Sequence, residues 1–182
     1  MKQTKRVMID LETLGRAAGC KILSIGAVVF DEDTGLHEEF YVRVLREGQH
    51  GLVEDPDTVK WWSEQSEEAR TAAFDAPGGV VLDIALMRFT TWVRSLGADI
   101  ELWGNGANFD NPIVSTAYTA CNLPQPWKFW NDRCYRTLKC LFPSVALDRQ
   151  GTYHHALDDA KSQAEHAVRI LAHVDSLGTS AS

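Results

Sequence analysis

Residues 7–14 read Val-Met-Ile-Asp-Leu-Glu-Thr-Leu, and this stretch decides the fold. Its apolar residues predict a buried strand, residues 6–9, that ends on Asp10. Because side chains alternate along a strand, Asp10 and Glu12 lie on one face. Surface Asp-x-Glu pairs are common and solvated, but a buried pair needs a partner for its charge. Divalent cations supply that partner, so the segment predicts a metal site.

Two later segments carry the same type of chemistry. Asp110 closes Asn-Gly-Ala-Asn-Phe-Asp, and His154 lies five residues before Asp159 in His-His-Ala-Leu-Asp-Asp. Taken singly, Asp110 is more often a helix cap and His154 a loop histidine. The step of five residues allows a base in a loop and a ligand on the helix that follows, with His155 and Asp158 or Asp159 as the competing pair. Oxygen-bound metals together with a histidine base suggest hydrolysis of a phosphodiester.

Strands and helices alternate in the rest of the chain. Further strands are expected at 21–30, 40–44, 100–103 and 129–131, with a hairpin turn at 31–35. Helices are expected after the N-cap Asp55, at about 80–96, around Asp110, at about 133–141 and at about 155–177. On the helix after Asp55, one face is expected to carry Val59, Trp62, Ser66 and Ala69. The last helix is expected to bury Ala156, Ala160, Ala164, Ala167, Leu171 and Val174. The order predicts an α/β domain, a mixed and mainly parallel sheet with helices on both faces, whose sites lie at the carboxyl ends of strands.

Composition limits the class of protein. The chain has 182 residues, 45% of them hydrophobic, which suits one domain, assigned to residues 1–177 with a disordered tail at 178–182. It has no long apolar run, so no membrane partner is expected. Four cysteines without C-x-x-C spacing suit a reduced cytoplasm. A net charge of −7 argues against coating nucleic acid by bulk electrostatics but not against a nuclease.

The segment from Trp127 to Arg149 is basic, although the chain as a whole is acidic. Its cations outnumber its two acids, Asp132 and Asp148. Contact with phosphates and a solvated helix surface are equally good interpretations of it. The cations concerned are Lys128, Arg133, Arg136, Lys139 and Arg149.

The three acidic segments resemble the exonuclease motifs of the DEDD (DnaQ-like) 3′-5′ exonuclease superfamily, in its histidine-containing DEDDh branch. Asp10 and Glu12 match the first motif, Asp110 the second, and His154 with Asp159 the third. The resemblance extends through Ile-Leu-Ser-Ile-Gly-Ala-Val at 22–28 and Thr-Val-Lys-Trp-Trp at 58–62, and covers about 6–171. It is closest to a small bacterial and phage subgroup that includes a mycobacterial exoribonuclease and DexA-type exodeoxyribonucleases.

The resemblance implies a ribonuclease H-like fold with a five-stranded sheet, and a two-metal mechanism using Mg²⁺ or Mn²⁺. Asp10, Glu12 and Asp159 would hold one ion, and Asp110 would reach the second directly or through water. His154 would take a proton from the attacking water, and a nucleoside 5′-monophosphate would leave the 3′ end. The register with the family favours His154 over His155.

Substrate contacts also follow from the likeness. Thr13 and Leu14 would meet the terminal nucleotide, and Asn108 lies in the second motif. Trp61 is the better candidate for stacking on a base, since Trp62 shares the apolar face of its helix. Many relatives in the wider superfamily have His-Asn-Ala where this chain has Asn-Gly-Ala at 105–107, so contacts borrowed from them do not transfer.

The expected partner is the 3′ end of single-stranded DNA or RNA, in the cytoplasm of a bacterial or phage-infected cell, and some relatives form homodimers. An RNase H-like endonuclease and an inactive nucleic-acid-binding subunit are the alternatives. The histidine argues against the first, and the complete set of five groups against the second. A dinucleotide site at Gly104-Asn-Gly106 fails because the third glycine is missing.

Overall fold

The computed structural model describes residues 4–179, with side chains as far as residue 176. Five strands and six α-helices occur in this part of the chain. The strands are β1 Thr4–Thr13, β2 Ile22–Asp31, β3 Gly35–Arg43, β4 Asp99–Gly104 and β5 Asp132–Cys134. The helices are α1 Pro56–Ser63, α2 Glu67–Arg70, α3 Leu82–Ser95, α4 Asp110–Ala120, α5 Tyr135–Leu141 and α6 Ala156–Thr179.

All five strands form one mixed sheet in the order β3-β2-β1-β4-β5. The first three strands pair antiparallel, whereas β4 runs parallel to both β1 and β5. β1 is therefore the central strand, and its carboxyl end lies at the same edge as those of β4 and β5. The predicted mixed sheet and hairpin are confirmed.

The alternation of β1 divides the core between the two faces of the sheet. Val7, Ile9 and Leu11 join a cluster with residues of α3 and α4 on one face. Met8 joins a second cluster on the opposite face, with Ala160 of α6. Asp10 and Glu12 share the parity of Met8, so the strand presents both carboxylates towards the α6 face.

Two glycines let helices approach the sheet more closely than a side chain would allow. A Cβ on Gly26 would lie 2.3 Å from the carbonyl carbon of Ala156, at the start of α6. A Cβ on Gly104 would lie 2.4 Å from Oδ1 of Asn111, in the first turn of α4. Real Cβ atoms do not make such contacts, so both helix starts depend on glycine at these positions.

Some predicted elements differ from the structure. β1 continues through Asp10 to Thr13, because it remains paired with β2 along this length. Residues Phe129–Asn131 form a 3₁₀ turn with exposed aromatic rings, and the strand follows at Asp132–Cys134. The predicted helix face across Trp62 and Ala69 is interrupted, because α1 ends at Ser63 and Ser66 caps α2.

The start of α1 agrees with the prediction, whereas the end of α6 differs from it. Asp55 is the N-cap of α1 and accepts a hydrogen bond from the Asp57 amide, as predicted. On α6, Val174 is 37% exposed and does not join the core, because the helix extends past the sheet. The predicted tail at 178–182 lies partly in α6, which extends to Thr179, and partly outside the described residues. Over the described residues, no helix has both the length and the apolar character needed to cross a bilayer.

Candidate active site

A cavity of about 570 Å³ opens at the carboxyl end of β1 and contains most of the predicted catalytic groups. Asp10 and Glu12 line it from the strand, and His154 and Asp159 line it from the start of α6. Ligand atoms of Glu12, His154 and Asp159 all lie within 4.8 Å of one another. Residues 12 and 159 are separated by most of the chain, so the packing of α6 against the sheet brings them together.

Asp110 occupies a different position, beneath the cavity. It is fully buried at the start of α4, and both of its carboxylate oxygens accept backbone hydrogen bonds. The Leu11 amide donates to Oδ1 at 3.2 Å and the Asn105 amide to Oδ2 at 2.6 Å. Asp110 therefore joins the ends of β1 and β4. Each oxygen keeps a second lone pair, so a contact through water towards the cavity stays open.

Asp159 and His154 are held by local geometry at the beginning of α6. The His154 amide donates to Oδ2 of Asp159 at 3.1 Å. The backbone of His154 has φ 62°, in the left-handed region, which turns the chain from the preceding loop into the helix. Residues other than glycine rarely adopt this backbone conformation. His154 lines the cavity, and strained backbone of this kind is often found at functional sites.

Two further side chains contact the carboxylates. Nη1 of Arg149 lies 2.7 Å from Oδ1 of Asp159, and the Arg149 guanidinium lies over the Tyr153 ring, 4.4 Å from its centroid. Gln163, one helical turn after Asp159, donates from Nε2 to Oδ1 of Asp10 at 2.6 Å. Oε1 of Gln163 is buried and has no hydrogen-bond partner within residues 4–176.

The two adjacent histidines have different surroundings. The His154 ring is in contact with the rings of Trp61 and Tyr153, with centroids 4.8 and 3.8 Å away. The His155 ring stacks on Tyr41 at 4.5 Å and does not line the cavity. Only His154 of the two therefore faces Glu12 and Asp159.

Crowding of acids governs the electrostatics of the cavity. Burial raises the pKa of Asp10 well above its usual value, and the charges of Asp110, Glu12 and Asp159 raise it further. Burial and the neighbouring charges of Asp159 and Asp110 raise the pKa of Glu12 to about 8. Burial raises the pKa of Asp110 to about 6, although backbone hydrogen bonds oppose it. The site is short of positive charge.

His154 and Asp159 titrate under opposing influences. Burial lowers the pKa of His154, against the effect of the Asp159 charge. Burial raises the pKa of Asp159, and the Arg149 charge partly offsets this. The His154 imidazole is thus disposed to be neutral near pH 7, which is the form that accepts a proton.

The donor set fits a divalent cation. Carboxylate oxygens on Asp10, Glu12 and Asp159 are the hard ligands that Mg²⁺ and Mn²⁺ prefer. Burial is the larger cause of the raised pKa values of Asp10 and Glu12, and the like charges around them add to it; a bound cation would neutralise those charges. Among the described residues no soft ligand lines the cavity, since none of the four cysteines is found there.

Of the residues predicted to contact substrate, Trp61 and Thr13 line the cavity and Leu14 does not. Trp61 is 39% exposed and lines the cavity, and Trp62 is buried, with its Nε1 donating to the Thr13 carbonyl at 2.8 Å. Thr13 also lines the cavity. Leu14 does not, because its side chain is fully buried beside Leu23 and Trp62, so the expected contact with a base is not available to it in this conformation.

Asn108 lies outside the main cavity. It is exposed and lines a second, more open cavity of about 790 Å³, which shares Arg16 and Phe109 with the first. Arg136 lines the second cavity as well and donates from Nη2 to the Asn105 carbonyl at 2.6 Å. In the part of the chain that the structure describes, no carboxylate lines this second cavity.

The cations of the basic segment have different surroundings in the structure. Lys128 pairs with Asp99 and Arg133 with Glu101, away from the cavity. Arg149 alone of the five predicted cations lines the main cavity. Sequence reasoning named Arg149 only as one of five cations that could contact phosphate, and it did not single out Gln163. For Gln163 a signal existed, since it lies four residues after Asp159 and hence on the same helix face.

Comparisons with known proteins identify the family of the chain. Residues 5–171 match the family model described as the 3′-5′ exoribonuclease Rv2179c-like domain. An exodeoxyribonuclease from Enterobacteria phage T4 is 26% identical over 155 residues, covering 71% of this chain and 68% of the phage protein.

Solved structures share the fold. The nuclease domain of 3′hExo, a DEDDh family member solved with rAMP, has a TM-score of 0.61 at 16% identity, covering 92% of this chain and 91% of that one. Cell-death related nuclease 4 has a TM-score of 0.58 at 15% identity, covering 92% of this chain and 63% of that one. These similarities confirm the predicted ribonuclease H-like fold.

Proposed function

The chain belongs to the family of Rv2179c-like 3′-5′ exoribonuclease domains, and we propose that it is a divalent-metal-dependent 3′-5′ exonuclease releasing nucleoside 5′-monophosphates from single-stranded ends. The observation that carries this proposal is the approach of Glu12, His154 and Asp159 to within 4.8 Å in the cavity that Asp10 also lines. Two strand carboxylates, a helix carboxylate and a neutral imidazole are the groups that metal-assisted phosphodiester hydrolysis requires.

The site residues take separate roles in this proposal. Asp10, Glu12 and Asp159 would hold the cations, with Asp110 acting from beneath through water. Bound divalent ions supply positive charge for the phosphate oxygens and lower the pKa of water. His154 accepts the proton of the attacking water, for which its ring faces Glu12 and Asp159. Gln163 keeps Asp10 oriented through the hydrogen bond to Oδ1.

The nucleotide at the 3′ end would enter between Trp61 and the carboxylates. Trp61 is partly exposed at the cavity wall, where its indole offers a stacking face that tolerates any base. Thr13 would approach the sugar from the end of β1. The exposed ring of Tyr153, which also lines the cavity, offers a second apolar surface.

The preceding nucleotides would follow the second cavity. It adjoins the first at Arg16 and Phe109, and Arg136 gives its lining a further positive charge. Asn108 would contact the strand there. A cavity lined by arginines without carboxylates suits a phosphate backbone, whereas the acidic main cavity suits phosphate only when cations are bound.

Relatives of the chain are named for activity on both RNA and DNA. The matching family model is named for an exoribonuclease and the phage relative for an exodeoxyribonuclease. We propose single-stranded ends of either kind. The predicted homodimer rests on family likeness, and the cytoplasmic location rests on that likeness and on the cysteine spacing; both stay predictions.

The test uses 5′-labelled single-stranded DNA and RNA of one sequence, incubated with Mg²⁺ or Mn²⁺ and with EDTA as control. A ladder that shortens from the 3′ end only with metal supports the proposal, and the faster ladder names the preferred sugar. The same oligonucleotides with a blocked 3′ end separate an exonuclease from an endonuclease. Internal cuts in the blocked strand, or no cutting with either metal, would contradict the proposal.

A further inference from the structure

Arg149 donates a hydrogen bond to a carboxylate oxygen of Asp159 that a metal ion would need as a ligand. Its Nη1 lies 2.7 Å from Oδ1 of Asp159, while the His154 amide takes Oδ2 at 3.1 Å. Both oxygens of Asp159 are therefore engaged within the protein. Asp159 also belongs to the group of three ligands within 4.8 Å, so a cation binding there approaches the oxygen that the guanidinium contacts.

The position of Arg149 allows it to release Asp159 without leaving the cavity. Its side chain is 47% exposed, on an irregular segment between α5 and α6. Its guanidinium lies 4.4 Å from the centroid of the Tyr153 ring, which is itself half exposed in the same cavity. Stacking of this type holds an arginine by its planar face and leaves its N–H groups free to rotate towards a new acceptor.

We propose that Arg149 exchanges partners during the reaction, giving up Asp159 to the incoming cation and binding the phosphate of the terminal nucleotide. This inference rests on the proposed function, since it assigns a substrate contact at the same site. The exchange follows from charge: a cation at Asp159 competes with the guanidinium, and the phosphate provides the anion that the displaced guanidinium then binds. Arg149 thus acts as a positioning residue for substrate that also restrains the ligand carboxylate before metal binds.

The exchange predicts effects of opposite sign, which a merely structural role would not produce. In Arg149→Gln, Mn²⁺ loses its competitor and should bind about 3- to 10-fold more tightly. With Mn²⁺ saturating, AMP or dAMP should bind about tenfold more weakly, because a charge-assisted hydrogen bond to phosphate is lost. Arg149→Met, which keeps the apolar stem, should give the same pair of changes.

The experiment measures free Mn²⁺ by electron paramagnetic resonance, and then AMP and dAMP binding by calorimetry at saturating Mn²⁺. Arg169→Gln is the matched control, because Arg169 contacts Ala146 and Asp148 of the same segment but does not line the cavity. It should leave both affinities at wild-type values.

Unchanged or weaker Mn²⁺ binding in Arg149→Gln would overturn the inference, and so would unchanged nucleotide binding. Failure of the proposed function would look different, because wild-type protein would then bind no Mn²⁺ at this site. Circular dichroism of each variant shows whether a lost affinity comes from lost folding.

Discussion

Gly26 of β2 lies directly against Ala156 at the start of α6, so closely that a Cβ on Gly26 would be 2.3 Å from the Ala156 carbonyl carbon. Gly26 is also the antiparallel partner of Asp10 in the sheet. One small residue therefore sets how near the helix carrying Asp159 comes to the strand carrying Asp10. The geometry of the carboxylate cluster depends on this contact.

Gly26→Ala should accordingly damage the site as well as the fold. The added methyl meets backbone, which cannot move aside cheaply, and overpacking of this kind costs about 1–3 kcal/mol. We expect the free energy of unfolding in urea to fall by that amount and Mn²⁺ affinity to fall at least about tenfold, since α6 must shift. Ala160→Gly serves as control, because it weakens α6 by about 1 kcal/mol without moving its start. Wild-type Mn²⁺ affinity in Gly26→Ala would show that the contact does not position the ligands.

The carboxylate cluster should make the metal-free protein less stable as pH rises. The pKa of Glu12 is raised from 4.5 to about 8, so the folded chain keeps a proton that the unfolded chain loses. Rising pH then favours unfolding across this interval, and the loss is complete above pH 8. Melting temperatures of EDTA-treated protein should decline between about pH 4.5 and 8.

Glu12→Gln provides the control for that pH series, because it removes the titrating group without changing its size. Its melting temperature should vary less with pH, and Mn²⁺ should flatten the wild-type curve by neutralising the cluster. A slope in Glu12→Gln equal to that of the wild type would assign the pH dependence to other groups.

His154 and His155 should contribute unequally to turnover. His154→Asn is the suitable variant, because asparagine tolerates the left-handed backbone that His154 adopts at φ 62°. Loss of a general base lowers the rate by about 10²- to 10⁴-fold, and Mn²⁺ binding should persist through the carboxylates. His155→Asn should retain most activity, since its ring stacks on Tyr41 outside the cavity. A larger loss of kcat in His155→Asn would reverse the assignment of the base.

Trp61 and Trp62 should separate substrate binding from stability. Trp61→Ala removes a partly exposed stacking face, so KM for an oligonucleotide should rise by about ten- to a hundredfold, with little change in folding. Trp62→Phe removes the indole N–H that binds the Thr13 carbonyl in the core, so stability should fall by about 1–3 kcal/mol. Steady-state kinetics and urea unfolding on both variants give the comparison. The reverse pattern would exclude stacking by Trp61.

Local sequence patterns were sufficient for the elements that carry the proposed catalytic groups. The apolar run around Asp10 and the three- and four-residue spacing of alanines along α6 predicted β1 and α6 and placed Asp159 near the helix start. Asp110 at the beginning of α4 was predicted in the same way.

Features that depend on tertiary packing were not predictable. Phe129 and Trp130 have the composition of a strand, yet both rings are exposed and the pairing begins only at Asp132. Leu14 follows the site in sequence but turns into the core cluster with Trp62. Arg149 approaches Asp159 from an irregular segment, whose path no local pattern sets.

The central claim is that the carboxylates of the main cavity bind catalytic cations. A crystal structure with Mn²⁺ and a nucleoside 5′-monophosphate, in which anomalous scattering locates manganese, tests it most directly. Two manganese peaks about 3.5–4 Å apart are expected from this claim, one bound by Asp10, Glu12 and Asp159 and the other next to Asp10 on the Asp110 side. Manganese peaks away from these residues, or none at a concentration that supports turnover, would contradict it.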